Sequence, residues 1–166
     1  MAQQTGTPFT RKCYALFLDE NFGTSPKYVI QGAELETGAV ETGINSESKT
    51  NILDEVMFKI TDYTPTFSED TFVAKYGDAI FEKLYDNYQA RATADAYETT
   101  AVEVLMTTDG TILKCHKTTV RLEPTSFGGD GGTELQAPFK IHFTGTPEAI
   151  PVANVSISGG VLTITT

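Results

Sequence analysis

Residues 103–116, EVLMTTDGTILKCH, contain the strongest indication of the fold. Apolar and polar residues alternate on both sides of Asp109-Gly110, a pair that favours the tight turn of a β-hairpin. Taking these two residues as the turn sets four cross-strand pairs, two on each face: Met106 with Leu113 and Val104 with Cys115 on one, Leu105 with Lys114 and Glu103 with His116 on the other. The sequence therefore predicts two antiparallel strands with one largely apolar face.

Residues 154–166, NVSISGGVLTITT, show the same pattern around Gly159-Gly160. Consecutive glycines favour a two-residue hairpin turn because both can adopt positive φ. This turn sets three expected pairs, two on an apolar face and one on the opposite face: Ile157 with Leu162, Val155 with Ile164, and Ser156 with Thr163. A second hairpin is therefore predicted here.

Further strands are predicted where apolar residues occupy alternate positions. Residues 11–18, RKCYALFL, are apolar on both alternating sets, which indicates a strand covered on both faces. Residues 56–61 alternate more regularly and predict a half-buried strand. Other strands are expected at Val120 and Leu122 and over 139–143. About seven or more strands result, a number typical of a β-sandwich.

One convincing helix is predicted, beginning near Gly77-Asp78 and continuing through residues 79–89, AIFEKLYDNYQ. Asp78 can cap the first turn or lie within it. One helix face is apolar and aromatic, and we expect it to pack on a sheet, whereas the other face is polar. The first face comprises Ile80, Phe81, Leu84, Tyr85 and Tyr88, and the second Glu82, Lys83, Asp86 and Asn87.

Together these elements predict a mainly β fold, a β-sandwich or partly closed barrel flanked by one α-helix. The length of 166 residues fits a single domain over 1–166. Within it, the polar residues 1–10 predict a flexible N-terminal arm.

Residues 34–50, ELETGAVETGINSESKT, contain four glutamates and few apolar residues. A connection of this length is usually either disordered or functional. If functional, it is a projecting loop or hairpin that becomes ordered against a neighbouring subunit. The candidate subunit-contact residues are Glu34, Glu36, Val40, Glu41, Ile44, Glu47 and Lys49.

The net charge of −10 limits the possible partners. Tight binding to nucleic acid needs a basic surface, and no cluster of basic residues occurs in the sequence. No apolar run approaches the roughly 18 residues of a membrane span, and residues 1–12 do not resemble a signal peptide. We therefore expect neither membrane insertion nor tight DNA binding.

Residues able to carry chemistry are few. Cys13 and Cys115 are too distant in sequence for a CxxC pair and are expected to be reduced core residues. Cys115 and His116 are adjacent on a strand, so their side chains face opposite ways and cannot share a metal. The glycine-rich residues 126–132, SFGGDGG, lack the Gly-Lys-Ser/Thr ending of a phosphate loop. We expect no enzyme activity, cofactor or metal.

Three stretches resemble a known family when taken together: 67–92, FSEDTFVAKYGDAIFEKLYDNYQARA; 97–106, YETTAVEVLM; and 120–150, VRLEPTSFGGDGGTELQAPFKIHFTGTPEAI. This pattern resembles the major tail proteins, or tail tube proteins, of long-tailed bacteriophages that infect Gram-positive bacteria. The resemblance covers about residues 52–150. Two features depart from it: Gly145-Thr146-Pro147 replaces a common Gly-Asp-Pro, and residues 34–50 match no part of the pattern.

The resemblance implies a tail-tube-like fold that assembles into hexameric rings. The rings stack around the tape measure protein, meet tail tip or terminator proteins, and conduct DNA during genome ejection. The protein would lie in the virion tail, and in the host cytoplasm during assembly. A ring of six copies would carry roughly sixty negative charges, which would keep DNA from adhering to the channel wall. Candidate lumen or sheet-edge residues on the two hairpins are Glu103, Lys114, His116, Ser156 and Thr163.

Two other classes fit the same sequence. One is another virion or secretion-tube component, such as a tail terminator or a decoration protein. The other is a monomeric carbohydrate-binding β-sandwich. Such modules usually expose aromatic platforms, and this chain has seven tyrosines but no tryptophan.

Overall fold

The computed structural model describes residues 6–32 and 38–165. These residues form eleven strands, one α-helix and three short 3-10 helices. The strands are β1 Tyr14–Asp19, β2 Tyr28–Ile30, β3 Ile44–Thr50, β4 Val56–Tyr63, β5 Thr66–Glu69, β6 Glu98–Met106, β7 Ile112–Pro124, β8 Phe139–Phe143, β9 Glu148–Ala149, β10 Val155–Ser158 and β11 Val161–Ile164; the helix α1 is Ala79–Gln89. The described strands do not close into a barrel. The predicted mainly β class with one α-helix is confirmed.

None of the helices among the described residues is long and apolar enough to cross a membrane.

The chain forms two compact units. The first contains the described residues up to 31 together with 99–118 and 146–165, and the second contains 32, 38–98 and 119–145. The single-domain organisation expected from the length stays a prediction.

In the first unit, the strands follow the order β10-β11-β2-β1-β6-β7, and β9 also pairs with β7. Five of the six residues of β1 are buried, which confirms a strand covered on both faces. The strand begins later than predicted, because Arg11–Cys13 form a 3-10 helix. The core of this unit comprises Ala15, Phe17, Tyr28, Val102, Val104, Cys115, Val155 and Leu162. Cys13 and Cys115 are both free and buried, as predicted, and burial raises the pKa of the Cys115 thiol.

The hairpin β10–β11 has the predicted register. Ile157 lies opposite Leu162, and Ser156 lies opposite Thr163. The turn residues Gly159 and Gly160 both have positive φ, at 56° and 78°, as this type of turn requires.

The turn between β6 and β7 is one residue longer than predicted. The Thr107 amide donates to the Thr111 carbonyl at 2.9 Å, and the Gly110 amide donates to the Thr107 carbonyl at 3.0 Å. The loop is therefore Thr108–Gly110 rather than Asp109-Gly110 alone, a type I turn with Gly110 at positive φ. As a consequence, Ile112 packs on the core with Met106, whereas Leu113 is exposed. The predicted pairing of Met106 with Leu113 is wrong.

In the second unit, β8 pairs with both β5 and residues 120–124 of β7. Phe67, Phe139 and Ile141 are fully buried there. The helix α1 begins as predicted, because the Asp78 side chain accepts a hydrogen bond from the Phe81 amide at 3.0 Å.

The predicted division of α1 into faces is only partly correct. Ile80 and Leu84 are buried, but Tyr85 and Tyr88 are exposed rather than core. Asn87, expected on the polar face, is buried instead and donates to the Ala96 carbonyl at 2.7 Å. A buried amide can replace an apolar residue here because its hydrogen bond is satisfied.

Candidate functional site

The most unusual surface among the described residues is the hairpin formed by β3 and β4, residues 44–63. The two strands pair antiparallel from Ile44 opposite Tyr63 to Thr50 opposite Val56, with one irregularity near Asn45. Every residue of both strands is exposed. Both faces of this two-stranded ribbon are therefore bare in the single chain.

The two faces differ in chemistry because alternate side chains point to opposite sides. On the apolar face, Val56, Phe58 and Ile60 lie opposite the small residues Thr50, Ser48 and Ser46. Phe58 alone is 67% exposed. The charged face carries Glu47 opposite Lys59 and Lys49 opposite Met57, with Lys49 and Glu47 paired at 3.7 Å.

The strand predicted at 56–61 is thus present, but its predicted half-burial is wrong within the single chain. Alternation in sequence shows that one face is apolar, and it does not show what covers that face. Here no described residue buries it.

The hairpin tip is built around Asn51. The Asn51 side-chain oxygen accepts hydrogen bonds from the amides of Leu53 and Glu55, at 2.8 and 3.1 Å, and its side-chain nitrogen donates to the Glu55 carboxylate at 2.8 Å. Ile52 is fully exposed, at 101%, and Leu53 is also exposed. The tip therefore holds two aliphatic side chains in solvent.

The hairpin root is held by Gly43 and Thr64. The Gly43 carbonyl accepts from both the amide and the hydroxyl of Thr64, each at 3.1 Å. A Cβ at Gly43 would lie 2.2 Å from the Thr64 backbone oxygen, and φ at Gly43 is +54°. Glu41 then pairs with Thr66, the first residue of β5, so the ladder continues from the hairpin into the second unit's sheet.

The candidate subunit-contact residues fall in and around this hairpin. Glu34 and Glu36 lie outside the described residues, Val40 is half-buried, and Glu41 pairs with Thr66 beside the root. Ile44, Glu47 and Lys49 are exposed on β3. We expected residues 34–50 to order only on assembly, yet 44–50 are already a hydrogen-bonded strand.

The candidate lumen or sheet-edge residues all lie in the first unit. Lys114, Ser156 and Thr163 are exposed, and Ser156 lies on β10, at the end of the strand order. Glu103 and His116 are half-buried; His116 lies opposite Ala149 of β9. Glu103 accepts a hydrogen bond from the Tyr14 hydroxyl. Burial, that hydrogen bond and the Glu103 charge raise the pKa of Tyr14 well above its usual value. The role of the five candidate residues in lining a lumen stays a prediction.

Sequence reasoning missed most of the exposed apolar residues. Val56 and Phe58 were assigned to a half-buried strand because their spacing is the same in a buried strand and in a bare one. Ile52 and Leu53 lie in a short apolar pair without periodicity. The only usable signal was the glutamate-rich stretch before them, which indicated a projecting segment.

Groups that could hold a metal are absent from the described part of the chain, where no three His, Cys, Asp or Glu side chains cluster suitably. The glycine-rich loop is exposed at Asp130, with the Thr133 hydroxyl donating to the Asp130 carbonyl at 2.7 Å. This contact is typical of a turn.

Comparison with solved structures identifies proteins of similar architecture. The chain is similar to the sheath/tube terminator of the extracellular contractile injection system PVC, with a TM-score of 0.50 and 9% identity over 89% of this chain and 100% of that one. It also matches the tube-terminating cap of the anti-feeding prophage (TM-score 0.49, 12% identity, 90% and 97% coverage) and a chain of the PVC sheath-tube complex (TM-score 0.46, 10% identity, 86% and 93% coverage).

No protein-family model matches the sequence, and no curated protein matches it. At 9% identity, the likeness to the PVC sheath/tube terminator shows a shared fold.

Proposed function

We propose that this chain is a structural subunit of a phage-tail-like tube, that it acts at the end of the tube as a terminator, and that it is not an enzyme. The observation that carries the proposal is the bare hairpin 44–63. The shared fold supports it, because the protein matched over its whole length is a sheath/tube terminator.

The hairpin supports assembly on physical grounds. A lone two-stranded hairpin is marginally stable in water, and it gains stability when its apolar face is covered. Val56, Phe58 and Ile60 expose a contiguous apolar strip that favours a protein neighbour. The roughly twenty residues of the hairpin 44–63 are also enough to supply one side of a standard protein interface.

The second candidate is the repeating subunit of the tube itself. The sequence resemblance to tail tube proteins over about residues 52–150 favours it. The two candidates differ in one property: a tube subunit adds rings to its own rings, whereas a terminator stops growth after one ring.

The finer features of the proposal follow from the resemblance and the charge. We expect rings of six copies, contact with tube and tape measure proteins, and a place in the tail of a virion or similar particle. DNA would only pass through, because a net charge of −10 per copy repels it.

Negative-stain electron microscopy of the purified protein across a concentration series tests the proposal. Rings of uniform diameter that do not lengthen support a terminator, and tubes that lengthen with concentration support a tube subunit. Small particles at every concentration, also in the presence of preformed tubes, would contradict both and favour a monomeric binding module.

A further inference from the structure

A second exposed apolar surface lies on the helix of the second unit. It consists of Phe81, Tyr85 and Tyr88 of α1 with Phe127 of the loop after β7, and we call it the aromatic surface. Phe127 lies against both tyrosines, with ring centroids 5.5 Å from Tyr85 and 5.3 Å from Tyr88. Tyr85 and Tyr88 remain 41% exposed. Aromatic residues in this half-exposed arrangement are enriched at protein interfaces.

An arginine is held over this surface in an unusual conformation. The helix ends with the Ala92 amide donating to the Asn87 carbonyl at 2.9 Å and the Arg91 amide donating to the Tyr88 carbonyl at 3.1 Å. This Schellman motif normally places glycine at the position of Arg91, because the residue there is left-handed. Arg91 adopts it at φ 52°, and its guanidinium lies 4.5 Å from the centroid of the Tyr88 ring.

A strained arginine where glycine fits better suggests that its side chain is used. The guanidinium lies over the Tyr88 ring and also donates to the Tyr88 carbonyl at 3.1 Å, so it adds one positive charge to the aromatic surface. A suitable ligand would therefore combine aliphatic side chains with a nearby carboxylate.

The hairpin tip of the same protein has this combination. Ile52 and Leu53 are exposed, and Asp54 and Glu55 follow them directly. We infer that the aromatic surface of one copy binds the hairpin tip of a second copy, with Ile52 and Leu53 on the rings and a tip carboxylate facing Arg91. This inference rests on the proposed function and deepens it.

The inferred contact is heterologous, because each copy offers two different surfaces. Such contacts repeat head to tail and close into rings when the rotation permits. The hairpin tip is exposed and the aromatic surface is half-exposed in the single chain, so each copy can give its hairpin to one neighbour and receive that of another.

The decisive variant is Arg91→Gly. Glycine removes the side chain and also relieves the left-handed strain, so the midpoint of thermal unfolding should stay the same or rise. Assembly, followed by sedimentation velocity of the full chain, should need on the order of tenfold more protein, the loss typical of an interface hot spot. Tyr88→Ala should raise the protein concentration needed for assembly by a similar factor. The matched control is Tyr76→Ala, at a fully exposed tyrosine outside the aromatic surface.

Mixing two defective variants tests the partner. Leu53→Asp copies keep an intact aromatic surface, and Tyr88→Ala copies keep an intact hairpin. At a protein concentration at which the wild type assembles and neither variant does, each variant alone should remain monomeric. An equal mixture at that concentration should form one-to-one pairs without rings.

If Arg91→Gly and Tyr88→Ala assemble as the wild type does, or if the mixture forms no pairs, the inference is wrong and the proposed function still stands. A wild-type chain that never assembles would contradict both the inference and the proposed function.

Discussion

At the scale of single residues, Gly43 determines whether the hydrogen-bonded root of the hairpin can form. It combines a positive φ of +54° with a backbone approach of 2.2 Å between its would-be Cβ and the Thr64 oxygen. No real side chain tolerates that distance, so the root must shift if any other residue is placed there. The contact of Gly43 with Thr64 at the root of the candidate site therefore requires glycine.

We predict that Gly43→Ala loosens the hairpin. Hydrogen exchange of the amides in 44–63 should accelerate, because the root hydrogen bonds to Thr64 break when the backbone moves. The matched control is Gly77→Ala, which has a positive φ of +81° but no atom within 4 Å of the added Cβ. Each change carries a left-handed cost of about 1 kcal/mol, so equal effects of the two variants would mean that the close approach to Thr64 is unimportant.

The raised pKa of Tyr14 predicts how the free energy of unfolding depends on pH. Burial first, then the hydrogen bond to Glu103, raises the pKa of Tyr14 in the folded chain above its unfolded value of 10.0. The folded state thus favours the neutral phenol, and this contribution is fully present below about pH 10 and is lost as the pH rises further. Urea unfolding between pH 8 and 11 should show a fall that Tyr14→Phe reduces. An unchanged slope in that variant would exclude Tyr14 as the cause.

At the scale of elements, local chemistry was readable from the sequence where both partners are near each other in the chain. The register at Gly159-Gly160 and the cap at Asp78 were predicted correctly because turn and cap residues act locally. The turn at Asp109 was wrong by one residue, since Thr107 and Thr111 also fit a three-residue loop.

The exposure of Tyr85, by contrast, could not be predicted. It depends on which distant residues cover the ring, and the side chain that contacts it, Phe127, lies about forty residues away in the loop after β7. The candidate site was predictable only as a projecting segment, because a bare apolar strip and a buried one have the same alternation.

Two phenylalanines in consecutive strands allow folding and assembly to be tested separately. Phe67→Ala in β5 removes a side chain that is 1% exposed and should cost about 3–5 kcal/mol of unfolding free energy. Phe58→Ala in β4 should change that free energy by about 0.5 kcal/mol or less, because the ring is already in solvent. The same variant should weaken assembly, as measured by sedimentation. A large loss of monomer stability from Phe58→Ala would show that the single chain already covers its apolar face.

At the scale of the whole molecule, charge opposes the contacts that the hairpin favours. Each copy carries −10, so neighbours repel each other at low ionic strength. Salt shortens the screening length from about 30 Å at 0.01 M to about 3 Å at 1 M.

We therefore predict that sodium chloride lowers the protein concentration needed for assembly. Light scattering at about 0.02 and 0.5 M salt measures this, and potassium chloride at matched ionic strength controls for specific ion effects. Assembly that weakens as salt rises would mean that attraction between opposite charges outweighs the net repulsion.

The hydrogen bonds of Asn51 at the tip and of Gly43 at the root have a consequence for the energetics of binding. A disordered arm would lose about 1–2 kcal/mol of backbone entropy for each residue that it orders on its partner. An arm that is already folded has incurred that loss beforehand, so more of the contact energy remains as affinity. The ready-made ribbon therefore lets a modest apolar strip hold a neighbour that a flexible loop of the same composition would release.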